Sequence, residues 1–85
     1  MRYQGIIQTK LRDDILDPAG NASLAALHRL GFQEADNLRI GKTISLSLQA
    51  ENETVAREKL EAMCENFLVN KVVEDYDITL SKADQ

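Results

Sequence analysis

Five apolar residues between positions 35 and 50 all carry even numbers, and this parity constrains the fold more than any other feature of the sequence. They are Leu38, Ile40, Ile44, Leu46 and Leu48. Because side chains alternate between the two faces of a strand, one strand running from Ala35 to Ala50 places all five on a single face. A hairpin turn at Gly41-Lys42 suits the chemistry of glycine, but its register would put the two apolar groups on opposite faces. We therefore predict one long strand, bent or bulged at Gly41.

The rest of the chain alternates between strand and helix patterns. The predicted elements are a strand over Met1–Arg12, a helix over Pro18–Leu30, the long strand, a helix over Glu53–Val69 and a strand over Val72–Leu80. Asp17 and Asn52 are the expected N-caps of the helices, and Gly31 suits the left-handed position that ends the first helix. Each element has one apolar face: Tyr3, Gly5, Ile7, Thr9 and Leu11 in the first strand; Leu24, Leu27 and Leu30 in the first helix; Ala56, Leu60, Met63, Cys64 and Phe67 in the second; Tyr76, Ile78 and Leu80 in the last strand.

The order β-α-β-α-β in 85 residues predicts a single α+β domain over residues 1–85. Two amphipathic helices would cover one face of a small sheet, which makes a two-layer sandwich. A long bent central strand would overrun its neighbours, and its unpaired backbone would pair with the same strand of a second copy. We therefore expect a homodimer or a higher oligomer that forms through the sheet. Residues Ser81–Gln85 are predicted to form a frayed tail.

Composition argues against several classes of function. Ten Lys and Arg against fourteen Asp and Glu give a net charge of -4, which opposes binding to a nucleic-acid backbone. The sequence has no run of about 18 apolar residues and no signal-like leader, so we expect a cytoplasmic chain without a membrane segment. The single Cys64 and the single His28 cannot by themselves build an internal disulfide or a His-rich metal site.

His28 and Cys64 are nevertheless the side chains to test first for catalysis. His28 could act as a general base near neutral pH, but no nucleophile with an orienting partner is visible, so a structural position beside the helix stripe is favoured. Cys64 falls on an apolar stripe, whereas a reactive thiolate needs a positive and partly exposed setting. We predict no catalytic residue and no metal site in this chain.

Two charged segments remain as candidate sites. Arg39-Ile40-Gly41-Lys42 places two cations around a glycine, which fits either a contact with a phosphate or a partner's carboxylate, or a solvated bend. It lacks the loop of the phosphate-binding G-x-x-x-x-G-K-[ST] sequence. Glu74-Asp75-Tyr76-Asp77 is the densest acidic cluster. We interpret it as a charged strand or a subunit contact rather than a catalytic carboxylate pair.

Several segments also recur in the order and spacing of a known family. They are Ile15-Leu16-Asp17-Pro18-Ala19-Gly20, Leu27 to Gly31, Leu38-Arg39-Ile40-Gly41-Lys42, Met63-Cys64 and Val73-Glu74-Asp75-Tyr76. Over essentially its whole length the chain resembles the PurS family, the small subunits of phosphoribosylformylglycinamidine synthase. It departs from the family pattern at Lys71, where Pro usually precedes the last strand, and in an unusually polar amino-terminal segment.

The resemblance implies a function in de novo purine synthesis. The complex converts formylglycinamide ribonucleotide, ATP and glutamine to formylglycinamidine ribonucleotide, ADP, phosphate and glutamate. In that family the large synthetase subunit (PurL) carries the ATP-dependent chemistry, so ATP and Mg are expected there and no cofactor is expected on this chain. The small subunit forms dimers and supports assembly of the large subunit with the glutaminase subunit (PurQ), with ammonia passing between them.

By the same resemblance, a small set of residues are candidates for subunit contacts. They are Arg39, Gly41, Lys42, Asp75 and Tyr76. An alternative function is a stand-alone regulatory domain that binds a small molecule, since two-layer α+β domains of this size often do so.

Overall fold

The computed structural model describes residues 1–83 and confirms the order β-α-β-α-β. The elements are β1 (Arg2–Leu11), α1 (Pro18–Arg29), β2 (Lys42–Gln49), α2 (Glu53–Met63) and β3 (Glu74–Lys82). A π-helical turn over Cys64–Leu68 continues α2 without a break. The fold is therefore the expected small α+β fold, with a three-stranded sheet and two helices.

The sheet is antiparallel throughout and has β1 at its centre, in the order β2-β1-β3. Ile7 pairs with Ile44 on one side and with Ile78 on the other. In β1 the residues with odd numbers are buried from Tyr3 to Thr9, and those with even numbers are exposed. This alternation is the predicted one, and it leaves the second face of the sheet open to solvent.

Helix α2 forms the core by packing on β1 and β3. Leu60 and Cys64 are fully buried with Ile7, as their place on the predicted stripe requires. Gly5 lies under this contact, and a Cβ atom there would lie 2.6 Å from Leu60 Cδ1. The absence of a side chain at position 5 therefore allows α2 to approach the central strand closely.

The prediction of one long strand over Ala35–Ala50 is wrong. Only Lys42–Gln49 forms a strand, and it lies at an edge of the sheet rather than at its centre. Pairing of β2 with β1 begins at Lys42, the first residue of β2. Before it the chain turns away, because the backbone N–H of Ile40 donates instead to Asp17 Oδ2 at 2.8 Å. The chain forms no hairpin at Gly41, since the strand that follows it pairs with β1.

The expectation that both helices cover the sheet is also wrong for α1. This helix begins at Asp17, whose Oδ1 accepts from Gly20 N at 2.9 Å, and it is followed by Gly31 at φ +104°, as predicted. It packs against its own return segment, residues 35–40, and makes no extended contact with a strand or with α2 in the described chain. The chain is consequently elongated, with a radius of gyration of 16.6 Å, against about 12 Å for a compact chain of this length.

Two features of the carboxyl-terminal part differ from the prediction: the burial of Phe67 and the end of the last strand. Phe67 was expected on the buried stripe of the second helix, but it is 87% exposed. In the π-helical turn Val69 N donates to Cys64 O, five residues earlier, and this wider turn buries Val69 in its place. Ser81 and Lys82 belong to β3 rather than to a frayed tail, and positions 84–85 of the predicted tail lie outside the described residues.

Candidate subunit-contact surface

The strand register brings the two charged segments of the sequence to the same end of the sheet. Thr9 of β1 pairs with Lys42 on one side and with Tyr76 on the other, and Lys10 pairs with Asp75. Because side chains alternate, Lys42 and Tyr76 lie on the face that α2 covers, and Asp75 lies on the open face. Lys42 and Tyr76, more than thirty positions apart in sequence, are thus separated in the sheet only by β1.

Four of the five candidate residues line one shallow recess at this end of the sheet. Its volume is about 420 Å³, and its lining residues are Gln8, Thr9, Lys10, Gly41, Lys42, Thr43, Asp75, Tyr76 and Asp77. The lining carries two Lys and two Asp, so its charges balance. Balanced, exposed charges suit a contact with another polypeptide better than the capture of a phosphate, which needs an excess of cations.

The fifth candidate, Arg39, lies outside the recess and has a local structural role. Its Nη2 donates to the carbonyl oxygens of Arg12 and Ile15, each at 2.8 Å, and lies 3.5 Å from that of Leu11. The guanidinium group thereby closes the loop between β1 and α1. A role for Arg39 in subunit contact remains a prediction.

Ion pairs organise the charges beside the recess. Lys42 Nζ lies 3.6 Å from Glu74 Oε2, and Arg12 Nε lies 3.3 Å from Asp75 Oδ1. Arg12 also donates from Nη2 to the carbonyl oxygen of Lys71 at 2.7 Å, which ties the end of β1 to the turn before β3. Sequence reasoning missed Arg12, although its place at the end of the first strand was a usable signal.

Tyr76 takes part in a second network through Glu65 of the π-helical turn. Its hydroxyl donates to Glu65 Oε2 at 2.8 Å, and the ammonium group of Lys71 pairs with Glu65 Oε1. The hydrogen bond to the carboxylate raises the pKa of Tyr76 to about 12. The hydrogen bonds from Lys71 and Tyr76 lower the pKa of Glu65. Nothing in the sequence pointed to Glu65, because its position depends on the π-helical turn.

Gly41 is required at its position for a steric reason. A Cβ atom there would overlap the backbone carbonyl oxygen of Thr9 in the neighbouring strand. Backbone cannot move aside as a flexible side chain can, so the close approach of the residue before β2 to β1 needs glycine. Packing within the chain therefore accounts for Gly41, which was predicted as a subunit-contact residue.

His28 and Cys64 both occupy structural positions. His28 Nε2 donates to the carbonyl oxygen of Ala35 at 2.8 Å, which ties α1 to its return segment. Cys64 is fully buried, and burial together with the nearby carboxylates of Glu65 and Glu61 raises the pKa of its thiol. A raised pKa leaves the thiol protonated and unreactive at neutral pH, as its place on the stripe predicted.

Within residues 1–83, no three His, Cys, Asp or Glu side chains are grouped so that they could hold a metal ion. No helix of the same residues is long and apolar enough to cross a membrane.

Comparison with known proteins identifies the family. The sequence model of PurS, described as phosphoribosylformylglycinamidine (FGAM) synthase, matches residues 4–82. The chain is 42% identical over 74 residues to phosphoribosylformylglycinamidine synthase subunit PurS of Synechocystis sp., covering 87% of this chain and 74% of the relative. It is 34% identical over 80 residues to the PurS subunit of Methanocaldococcus jannaschii, covering 94% of this chain and 96% of the relative.

Solved structures agree. The crystal structure of Methanocaldococcus jannaschii PurS, a subunit of formylglycinamide ribonucleotide amidotransferase in the purine biosynthetic pathway, superimposes with a TM-score of 0.85 at 33% identity, covering 96% of this chain and 99% of that one. A chain in the structure of PurLQS from Thermotoga maritima gives a TM-score of 0.88 at 32% identity, covering 95% and 99%. The chain therefore belongs to the PurS family of phosphoribosylformylglycinamidine synthase subunits.

Proposed function

We propose that this chain is the non-catalytic small subunit of a phosphoribosylformylglycinamidine synthase complex, which joins a large synthetase subunit to a glutaminase subunit. The observation that carries the proposal is the match over 95% of the chain to a protein in the PurLQS structure of Thermotoga maritima. ATP and Mg then belong to the large subunit, and the complex works in the cytoplasm. Ammonia released from glutamine passes between the two larger subunits while this chain holds them together.

The recess end of the sheet is the proposed contact surface for one of these subunits. Lys42 and Asp75 are both more than half exposed, so their charges are accessible to a partner. Each has a partner within the chain, which keeps its side chain in a defined place before binding. Complementary charges of this kind speed association and fix the orientation of the subunits.

The chain is also proposed to act as a homodimer. The long strand from which a dimer was first inferred does not exist, but β2 remains an unpaired edge of the sheet in the described chain. Leu30 and Phe32, just after α1, are exposed in the elongated chain, and a small domain with so little core gains stability by pairing.

An omission assay tests the proposal. The large subunit and the glutaminase are mixed with formylglycinamide ribonucleotide, ATP and glutamine, with and without this chain, and formylglycinamidine ribonucleotide is measured. Glutamine-dependent synthesis is expected only when the chain is present. Ammonia supplied in place of glutamine is the control, because it bypasses the coupling of the two subunits. Equal glutamine-dependent synthesis without the chain would contradict the proposal.

A further inference from the structure

Among the described residues, Thr9 carries the only buried side-chain oxygen or nitrogen atom without a hydrogen-bond partner. The atom is Oγ1, and the residue as a whole is 4% exposed. A buried hydroxyl group that forms no hydrogen bond destabilises a folded chain, because it has lost its bonds to water. Valine has the same branched shape without this cost. Contacts within the described chain therefore do not explain a hydroxyl group at position 9.

An ion pair crosses the central strand beside Thr9. Lys42 of β2 lies directly opposite Thr9, and Glu74 of β3 lies opposite Leu11, the next residue on the same face. All four side chains therefore lie on the face that α2 covers. Lys42 Nζ is 3.6 Å from Glu74 Oε2. Because the two residues belong to the two outer strands, the ion pair spans β1 close to the Thr9 hydroxyl group.

The two members of this ion pair are held to different degrees. The Glu74 side chain is only 14% exposed, and its Oε1 accepts from the backbone N–H of Asn70 at 2.8 Å. The Lys42 side chain is 54% exposed, and its separation of 3.6 Å from Glu74 is too long for a hydrogen bond. An ammonium group has three N–H donors. Lys42 can therefore turn to a second carboxylate while Glu74 keeps its bond to Asn70.

A cavity of about 310 Å³ borders the ion pair. Its lining residues are Lys10, Leu11, Ile40, Gly41, Lys42 and Glu74. Binding cavities typically combine apolar walls with a few polar groups that fix the orientation of the ligand. Here Leu11 and Ile40 provide the apolar part, and Lys42 provides the cation. The cavity suits a short aliphatic stem that ends in an anionic group.

We propose that this cavity receives a glutamate side chain from another subunit of the synthase complex, and that its carboxylate binds Lys42 and Thr9. The stem of the incoming side chain packs on Leu11 and Ile40. Lys42 turns toward the carboxylate and thereby uncovers Thr9, whose Oγ1 donates to one carboxylate oxygen. Hydrogen bonds to a charged group are stronger than those between neutral groups. The complex thus supplies the partner that Thr9 lacks in the isolated chain.

The chemistry of the two free groups favours a carboxylate over other ligands. The ammonium group of Lys42 and the hydroxyl group of Thr9 are both donors, and they face each other across one rung of the sheet. An acceptor therefore serves both at once. A phosphate group would call for more cations than the single Lys42 on this face. The inference rests on the proposed function, to which it adds the chemistry of one subunit contact.

Thr9→Val tests the inference, because it should leave the isolated chain at least as stable while it weakens the complex. In the isolated chain the variant removes an unpaired hydroxyl group, so the melting temperature should be equal or higher. In the complex it removes a donor to the carboxylate. The dissociation constant for assembly with the large synthetase subunit and the glutaminase should therefore rise about tenfold. Thr79→Val, at an exposed position of β3, is the matched control and should change neither quantity.

A double variant shows whether Thr9 and Lys42 bind the same group. If one carboxylate bridges them, Thr9→Val combined with Lys42→Gln should weaken assembly by clearly less than the product of the two single effects. Effects that simply multiply would contradict a shared carboxylate. Glu→Gln changes on the surfaces of the other two subunits then identify the glutamate. One such change should weaken assembly with the wild-type chain and have little effect with the double variant.

The outcomes separate this inference from the proposed function. A wild-type chain that does not assemble with the other two subunits removes both. If the wild-type chain assembles and Thr9→Val assembles equally well, only the inference is overturned. A Thr9→Val chain with a clearly lower melting temperature would show that the hydroxyl group already has a partner within its own chain, which also overturns the inference.

Discussion

Asp17 Oδ2 accepts a hydrogen bond from the backbone N–H of Ile40 at 2.8 Å, while its Oδ1 accepts from Gly20 at 2.9 Å. One buried carboxylate therefore caps α1 and also holds the return segment that leads into β2. Both hydrogen bonds lower the pKa of Asp17 below its ordinary value of 3.8, and the one from Ile40 has the larger effect. The start of α1 and the start of β2 are coupled through this side chain.

The coupling predicts an acid-sensitive step in stability. Because the folded pKa of Asp17 is depressed, its contribution is fully present above pH 3.8 and is lost as pH falls through the folded pKa. Asp17→Asn should lower the melting temperature by several degrees at pH 7, because an amide offers one acceptor oxygen where two are needed. It should also reduce the pH dependence below pH 4. Asp14→Asn, in the same loop but exposed, is the control. Equal melting curves for the two variants would contradict the role of Asp17.

Two glycines should differ in their tolerance of alanine. At Gly5 the added Cβ would meet the end of the Leu60 side chain, which can move, whereas at Gly41 it would meet the backbone of Thr9, which cannot. We expect Gly5→Ala to cost about 1 kcal/mol and Gly41→Ala about 3 kcal/mol of unfolding free energy. Urea denaturation measures both. A Gly41→Ala chain as stable as wild type would show that the backbone near Thr9 can move aside. Only in that case would a loss of assembly in this variant show that Gly41 contacts another subunit.

The contact surface is best tested at Asp75 and Lys42. Asp75→Asn and Lys42→Gln should each weaken assembly with the other synthase subunits by about tenfold, because each removes an exposed charge from the recess. The unfolding free energy should change by less than about 1 kcal/mol for Asp75→Asn, since the ion pair of Asp75 with Arg12 is exposed. It should fall further for Lys42→Gln, because the Glu74 side chain is only 14% exposed and loses its cation. Glu51→Gln, just after β2 at the opposite end of the sheet, is the control. If assembly is unaffected in both variants, the contact surface lies elsewhere on the chain.

Tyr76 should titrate at unusually high pH. With its pKa raised to about 12, the stability that the neutral phenol provides is present below pH 10 and is lost between pH 10 and about 12. Glu65→Gln should move the pKa back toward 10, because the hydrogen bond to a carboxylate is its main cause. Ultraviolet titration in a Tyr3→Phe background isolates the signal. Glu61→Gln is the matched control and should shift the pKa far less.

Cys64 should resist alkylation in the folded protein. The side chain is fully buried and its pKa is raised, so iodoacetamide at pH 8 should modify it only at the rate at which the chain opens. Addition of urea above the unfolding midpoint should bring the rate to that of a free thiol, and this sample serves as the control. Rapid labelling without urea would show that the core near Cys64 opens locally.

Sequence periodicity determined the secondary elements and most of the core. The alternation in β1 and the stripe containing Leu60 and Cys64 required local spacing only, and the structure confirms both. The helix caps at Asp17 and Asn52 were equally local, because a cap depends on residues within one turn. The candidate segments at Gly41-Lys42 and Asp75-Tyr76 were visible as composition, but only strand register placed them side by side.

The long strand and the burial of Phe67 were mispredicted for the same reason. Both predictions extended a side-chain pattern, alternate in the strand and 3.6-residue in the helix, past the point where the backbone conformation changes. Leu38 and Ile40 share the parity of β2, yet Asp17 captures the N–H of Ile40 from far away in the sequence and ends the strand pattern at Gly41. Phe67 shares the spacing of the stripe, yet one π-helical turn moves it to the surface. The sequence by itself determined which residues are apolar and in which local pattern. Only the tertiary structure decided where α1 lies, because that depends on long-range hydrogen bonds that no periodicity encodes.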